Sequence, residues 1–203
     1  MNDIDAVIFD LGNVLVAVDE GRAADRLAAR TGKTRQQIDE YAYGTPHAMN
    51  LALGKLTRHQ FFETVARDLA FDGTYKEFAA IWSEIFTPIK PMIALAKSLK
   101  NRMPRLILSN TNAIHMDYVF ERFPFVHDFD GHVLSHEVGL LKPDPAIYKH
   151  TLEKHGLKAA RTVFIDDMAV NVEGARCVGL HAIQFCDADK TRAELTKLGV
   201  SPI

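Results

Sequence analysis

Polar and charged residues stand at the ends of three short apolar runs. Ala6-Val7-Ile8-Phe9 runs into Asp10, Arg105-Leu106-Ile107-Leu108 into Ser109-Asn110, and Thr162-Val163-Phe164-Ile165 into Asp166-Asp167. Lys142 stands just before Pro143-Asp144-Pro145, where a helix is expected to begin. Taken singly, each has a plain explanation. An Asp, Ser or Asn after a strand caps a helix or makes a turn, and a lysine is by default a solvated charge. The Asp166-Asp167 pair is harder to dismiss, because two like charges at the end of a buried strand repel unless a cation or donors compensate. A divalent, oxygen-seeking ion is the simplest compensation. All of these together, in this order and each beside a strand end or helix start, point to one site.

The elements that must position such a site can be read from periodicity. The three runs above are continuous and apolar, the mark of strands buried on both faces of a parallel sheet. His181-Ala182-Ile183-Gln184-Phe185 is a weaker fourth run and His132-Val133-Leu134-Ser135 a fifth. Helical spacing lies between them. Pro91 to Lys100 places Met92, Leu95, Ala96 and Leu99 on one face, Pro145 to His155 does so with Ile147, Tyr148 and Leu152, and Val170 to Val178 closes at Gly179. Strands alternating with helices imply βαβ units and an α/β fold with a doubly wound, Rossmann-like parallel sheet. In such sheets ligands bind beyond the carboxyl ends of the strands, where the polar residues fall.

The stretch from Asp10 to Ser109 is far longer than the roughly 30 residues of a plain βαβ unit. Its surplus is helical: Arg22 to Arg30, Thr34 to Tyr41, Thr57 to Ala70 and Thr74 to Phe86. Thr57 followed by Gln60 fits a capping box. Phe61, Phe62, Val65, Leu69, Phe78, Ile81, Trp82 and Ile85 recur at helical spacing and are read as packing between helices. The expected organisation is a core of residues 1–15 and 88–203, with a helical lobe, residues 16–87, inserted after the first strand.

Composition excludes several classes. Of 203 residues 47% are hydrophobic and 25% charged, an ordinary globular balance. The 24 basic and 26 acidic residues give a net charge of −2 with no clustered basic stretch, so no nucleic-acid partner is expected. Cys177 and Cys186 are too few for a disulfide framework, and Cys177 is read as core. The opening Met1-Asn2-Asp3-Ile4-Asp5 has acid where a leader would be basic, and no run is long enough for a membrane span. The expectation is a cytoplasmic protein, monomer or homodimer. Gly174 to Gly179 has phosphate-loop glycine spacing, but Leu180-His181 follows where Lys-Ser/Thr is required. His132 and His136 fall on an expected strand with no third ligand close by and are read as structural.

Phe9-Asp10-Leu11-Gly12-Asn13-Val14, Leu108-Ser109-Asn110, Gly139-Leu140-Leu141-Lys142-Pro143 and Ile165-Asp166-Asp167 with Asn171 resemble the four ordered motifs of the haloacid dehalogenase-like hydrolases. The Asp-Leu-Gly-Asn-Val opening resembles in particular the bacterial glucose-1-phosphate phosphatase branch. The resemblance makes residues 16–87 a substrate-selecting cap and implies a phosphatase acting on a small phosphorylated metabolite, a sugar 1-phosphate first. It implies Asp10 as the nucleophile that forms an aspartyl-phosphate, and Mg²⁺ held by Asp10, the Gly12 carbonyl, Asp167 and, directly or through water, Asp166. Lys142 would supply counter-charge, Ser109 and the Asn110 backbone would bind the phosphoryl oxygens, and Asn171 would fix the acidic loop.

One position departs from the usual pattern. Most phosphatases of this superfamily carry a second Asp, a general acid, two positions after the nucleophile, where this chain has Gly12. The resembling branch shows the same replacement. A good leaving group, such as an anomeric oxygen, depends less on proton donation. Asp19, Glu20 or His47 could stand in by chain proximity. The alternatives are a metal-free dehalogenase, against which the acidic pair argues, and a non-catalytic protein that binds phosphate or a partner. A receiver domain has its acidic pair before the acceptor, the reverse of the order here. Tyr41, Tyr43, His47, Asn50 and Trp82 could face substrate from the cap or simply pack it.

Overall fold

The computed structural model describes residues 4–200, so the Met1–Asp3 opening lies outside the described residues, as does the side chain of Tyr43. The chain runs β1 (Ala6–Phe9), β2 (Val16–Val18), α1 (Glu20–Thr31), α2 (Arg35–Gly44), α3 (His47–Ala52), α4 (Arg58–Leu69), α5 (Tyr75–Ser83) and β3 (Phe86–Pro88). It continues α6 (Lys90–Ser98), β4 (Arg105–Ser109), α7 (Ala113–Arg122), β5 (Gly131–Leu134), α8 (Ser135–Val138) and α9 (Pro145–His155). It ends β6 (Thr162–Asp166), α10 (Ala169–Cys177), β7 (His181–Gln184) and α11 (Ala188–Lys197). Among the described residues no helix is long and apolar enough to cross a membrane.

Five parallel strands form one sheet in the order β5-β4-β1-β6-β7. Alternation along β1 explains its two-sided burial. Val7 and Phe9 join a cluster with Met92, Leu95, Met116, Val119 and Leu195 from α6, α7 and α11. Ile8 points the other way, into a cluster with Ile147, Tyr148 and Ala175 from α9 and α10. Helices thus cover both faces, the doubly wound arrangement that continuous apolar strands require. Chain direction across the sheet reverses at β1, which has β4 on one side and β6 on the other. Asp10 and Asp166 therefore stand at the topological switch point.

Residues between β2 and β3 gather a hydrophobic cluster of their own, with Leu27, Ile38, Leu51, Phe61, Val65 and Phe78 at its centre. The aromatic stripe is packing: Phe61 and Phe78 are buried and Trp82 stacks on Phe78. Thr34, Thr57 and Thr74 each make a capping box, with Gln37, Gln60 and Glu77, so helix starts are written locally. The antiparallel pair β2–β3 closes this helical segment at its base.

Several expected boundaries move. The helix from Thr74 stops at Ser83, and Phe86, expected to end it, begins β3 instead. The expected strand from His132 to Ser135 ends at Leu134, so His132 lies in β5 and His136 in α8. His132 bonds the Val126 carbonyl through Nε2, a structural role. Cys177 is exposed, not core, because α10 buries Asn171, Val172 and Ala175 and turns Cys177 to the opposite side. Helices α3, α7, α8 and α11 and strands β2 and β3 had no sequence expectation.

The helical segment is fastened to the sheet domain through α7. Ile114 is buried in the segment's own cluster, and Ser83 Oγ donates to its carbonyl at 3.2 Å. His115 stacks against Trp82 and bonds the Trp82 carbonyl through Nε2 at 3.1 Å, while Asn112 Nδ2 meets its Nδ1 at 3.1 Å. An amide donor on Nδ1 and a carbonyl on Nε2 select the neutral Nε2–H imidazole. Burial pushes the His115 pKa down to about 4, outweighing the Trp82 bond. The unfolded chain then binds a proton that the folded one refuses, so stability is lost as pH falls from about 6.5 towards 4. His115→Gln is expected to titrate less, its unfolding free energy gaining on the wild type by ~2–3 kcal/mol as pH falls from 7 to 4. Parallel stability–pH curves for the two proteins would contradict this placement of the charge.

Candidate active site

The strand register lines up the polar ends. Phe9 pairs with Ile165 on one side and Ile107 on the other, which puts Asp10 level with Asp166 and beside the end of β4 at Ser109. The Asp10 N–H donates to the Ile165 carbonyl at 2.8 Å, continuing the ladder one step past the strand. Ser109 is buried at the last position of β4. Asp10, Ser109, Lys142 and Asp166 are all buried polar residues at this edge, and Asp167 is half-buried.

One ammonium ties two carboxylates together. Lys142 Nζ lies 2.9 Å from Asp10 Oδ1 and 2.6 Å from Asp166 Oδ2, with its side chain 1% exposed. It also sits 5.4 Å above the Phe164 ring. Asp166 is crowded with donors: besides Lys142, Asn171 Nδ2 reaches both its oxygens at 3.0 and 3.1 Å and the Met168 N–H donates at 2.8 Å. The sequence expectation that Asn171 fixes the acidic loop matches this geometry. Asp10 accepts from the Leu11 N–H at 2.6 Å. Even so, burial pushes its carboxyl up to about 7, because desolvation exceeds the pull of Lys142 and the Asp166 charge adds repulsion.

Three buried or half-buried carboxylates against one ammonium leave negative charge to be neutralised. Asp10, Asp166 and Asp167 each offer an oxygen within 4.8 Å of the others, and among the described residues this is the one such group. A set of carboxylate oxygens fits a hard divalent cation such as Mg²⁺. Asp166 has its oxygens committed to four hydrogen bonds, whereas the contact on Asp167 Oδ2 is the longer 3.3 Å bond from Asn13 Nδ2. Asp167 is thus the carboxylate of the pair that is freer to take a cation.

Two asparagines that the sequence leaves without a side-chain role turn out to be connectors. Asn13 adopts a left-handed φ of 54°, accepts from the Val18 N–H at 3.1 Å and reaches Asp167, joining the acidic loop to β2. Asn110 bonds both main-chain groups of Lys142. Both asparagines stand in the motifs that carry the family resemblance, but neither side-chain partner is announced there, since the partners lie far off in sequence. The suggested stand-in acids are engaged elsewhere. Asp19 caps α1 by accepting from the Arg22 N–H, and Glu20 lies in that helix's first turn. His47 stands 3.8 Å from Asp68, and Tyr41 donates to the same carboxylate.

The family model for haloacid dehalogenase-like hydrolases matches residues 4–179. The chain belongs to the haloacid dehalogenase-like hydrolases. This hydrolase is 27% identical to Phosphatase MT3486 of Mycobacterium tuberculosis, over 97% of its own length and 95% of the relative's. It is 26% identical to D-ribitol-5-phosphate phosphatase of Bacteroides thetaiotaomicron, over 94% and 96%. It superposes at a TM-score of 0.81 and 28% identity on the HAD family enzyme bt-2542 of Bacteroides thetaiotaomicron, solved in complex with magnesium and inorganic phosphate, covering 89% of this chain and 93% of that one. An L-2-haloacid dehalogenase of Xanthobacter autotrophicus shares the fold at a TM-score of 0.64 and 18% identity, covering 98% of this chain and 85% of that one.

Lys142 is backed from behind by a close approach of two main chains. Gly174 is inside α10, so it belongs to a helix and not to a nucleotide loop, and a Cβ there would lie 2.7 Å from the Pro143 carbonyl oxygen. Glycine lets α10 close on the Lys142–Pro143 segment. Gly174→Val is expected to lower stability by about 1–3 kcal/mol through overpacking, read by urea denaturation. A variant as stable as the wild type would mean that α10 does not brace this segment.

Proposed function

We propose that this hydrolase is a Mg²⁺-dependent phosphatase of a small phosphorylated metabolite in the cytoplasm, with a sugar 1-phosphate as the first candidate. The observation that carries the proposal is Lys142 Nζ held between Asp10 and Asp166, with Asp167 open beside them. Asp10, the Gly12 carbonyl and Asp167 would hold the cation, with Asp166 a direct or water-mediated partner. When bound, Mg²⁺ supplies positive charge that offsets the phosphate dianion. The relatives named as phosphatases, and the magnesium and phosphate in the structural neighbour, are in keeping with this assignment.

Asp10 is the nucleophile in this scheme. Its free carboxylate oxygen attacks phosphorus, the bond to the leaving oxygen breaks, and an aspartyl-phosphate forms. Lys142 places its positive charge beside Asp10, where the incoming phosphoryl group and the carboxylate would otherwise repel. Ser109 and the Asn110 backbone donate to the phosphoryl oxygens. Water then attacks phosphorus and the bond from phosphorus to Asp10 breaks, releasing phosphate and the Asp10 carboxylate. The proton that water gives up to solvent balances the one the leaving oxygen takes from solvent. The helical segment, residues 16–87, serves as the cap that shapes the space for the leaving group.

Gly12 decides which leaving groups suit the site. No side-chain acid stands there to protonate the departing oxygen, so substrates whose leaving oxygen is already acidic are favoured. A Cβ at Gly12 would meet only Val18 Cγ2, at 3.4 Å, an ordinary contact, so packing does not demand glycine here.

Asp10→Asn should retain the fold and lower kcat on p-nitrophenyl phosphate by more than about a thousandfold, and chelation by EDTA should stop wild-type turnover until Mg²⁺ is restored. Turnover that survives both would remove the assigned nucleophile and the cation together. Gly12→Asp is expected to raise kcat/KM on alkyl phosphates by about 10²-fold or more while changing p-nitrophenyl phosphate much less. An equal effect on both substrates would show that leaving-group protonation is not what Gly12 sets.

A further inference from the structure

Lys142 is nearly sealed from solvent, yet its main chain is held by a residue that is open to it. Asn110 is exposed, and its carboxamide makes a two-point bond to the Lys142 backbone: Lys142 N–H donates to Asn110 Oδ1 at 2.8 Å and Asn110 Nδ2 donates to the Lys142 carbonyl at 2.9 Å. The amide imitates a neighbouring strand, pairing with one residue as a β-ladder would. It joins the end of β4 to the segment between α8 and α9 across 32 positions of sequence. The segment follows the left-handed turn at Gly139, is capped onto α9 by Asp144 and is backed by α10 at Gly174, and the Asn110 bonds are the ones that hold the Lys142 main chain itself to β4.

The consequence lies at the other end of the lysine. Lys142 Nζ must meet Asp10 and Asp166 at 2.9 and 2.6 Å at once, so its Cα has little freedom to move. We infer that Asn110 is a positioning residue whose side chain sets the reach of Lys142 into the site, and that it does not use that side chain to bind the phosphoryl group. The bonds at Oδ1 and Nδ2 fix the plane of the carboxamide against Lys142, leaving one N–H of Nδ2 that is not engaged there. This inference rests on the phosphatase proposal for its kinetic consequence, but the placement of Lys142 itself does not.

Asn110→Ala removes both bonds at an exposed position, and Asn110→Ser provides a second small variant should the first fold poorly. Loss of placement by about an ångström can cost on the order of 10²-fold in rate, so kcat/KM on p-nitrophenyl phosphate is expected to fall about 10- to 100-fold. An amine-reactive acylating reagent, with modification mapped by peptide mass spectrometry, gives a readout that needs no turnover. Lys142 should be several-fold more reactive in Asn110→Ala than in the wild type, at an unchanged thermal midpoint. Reduced turnover with Lys142 as protected as before would overturn the inference and place the amide on the phosphoryl group. No change in either readout would overturn it as well. If the wild type hydrolyses no phosphate ester but Lys142 reactivity still rises, the positioning role stands and the phosphatase proposal falls.

Discussion

Two carboxylates and one ammonium buried at the end of a parallel sheet set the terms for the rest of the molecule. Asp10 and Asp166 lie on adjacent strands whose register brings them level, and either charge alone would be costly to bury. Lys142 offsets much of that cost by bonding both, and Asn171 and the Met168 N–H complete the shell of Asp166. With Asp167 beside them the carboxylates still outnumber the one ammonium, and burial keeps the Asp10 carboxyl raised to about 7. A site left short of positive charge in a low-dielectric setting is poised to accept a cation, an anionic substrate that brings one, or both.

The fold holds this arrangement from three directions. The switch point gives Asp10 and Asp166 their places without any long-range side-chain contact, because β1 and β6 are neighbours through the main chain. Lys142 comes from a connection rather than a strand, and so needs the Asn110 bonds on one side and the close-packed Gly174 on the other. Asp167 is reached by Asn13, which also bonds Val18 in β2, at the base of the helical segment. The acidic loop and that base therefore share a residue. The helical segment is also anchored through Ile114 and His115 on α7, and Gly54 lies against the His136 main chain of α8.

Much of this was legible in the sequence. The three central strands could be read because strands buried on both faces must be apolar throughout, and the polar residues ending them named the site before any geometry. The capping box at Thr57 could be read from Gln60 three positions on, and the helices at Thr34 and Thr74 begin with the same device. What escaped was whatever depends on contact between distant segments. Strands β2 and β3 are three residues each, and Phe86 sits at a spacing that a helix would also explain. Cys177 looked buried beside Val178, but only the actual pitch of α10 shows which side it takes. The bonds from Asn110 to Lys142 and from Asn13 to Asp167 span 32 and 154 positions, and nothing in the local pattern of either asparagine announces them.

The central claim is that Asp10 itself receives the phosphoryl group. Rapid acid quenching during turnover of p-nitrophenyl phosphate with Mg²⁺, followed by borohydride reduction and peptide mass spectrometry, reads the acceptor directly. An aspartyl-phosphate is reduced to homoserine, so the account predicts homoserine at position 10 and unmodified aspartate at 166 and 167. Turnover with position 10 unmodified, or with the label on another residue, would contradict it.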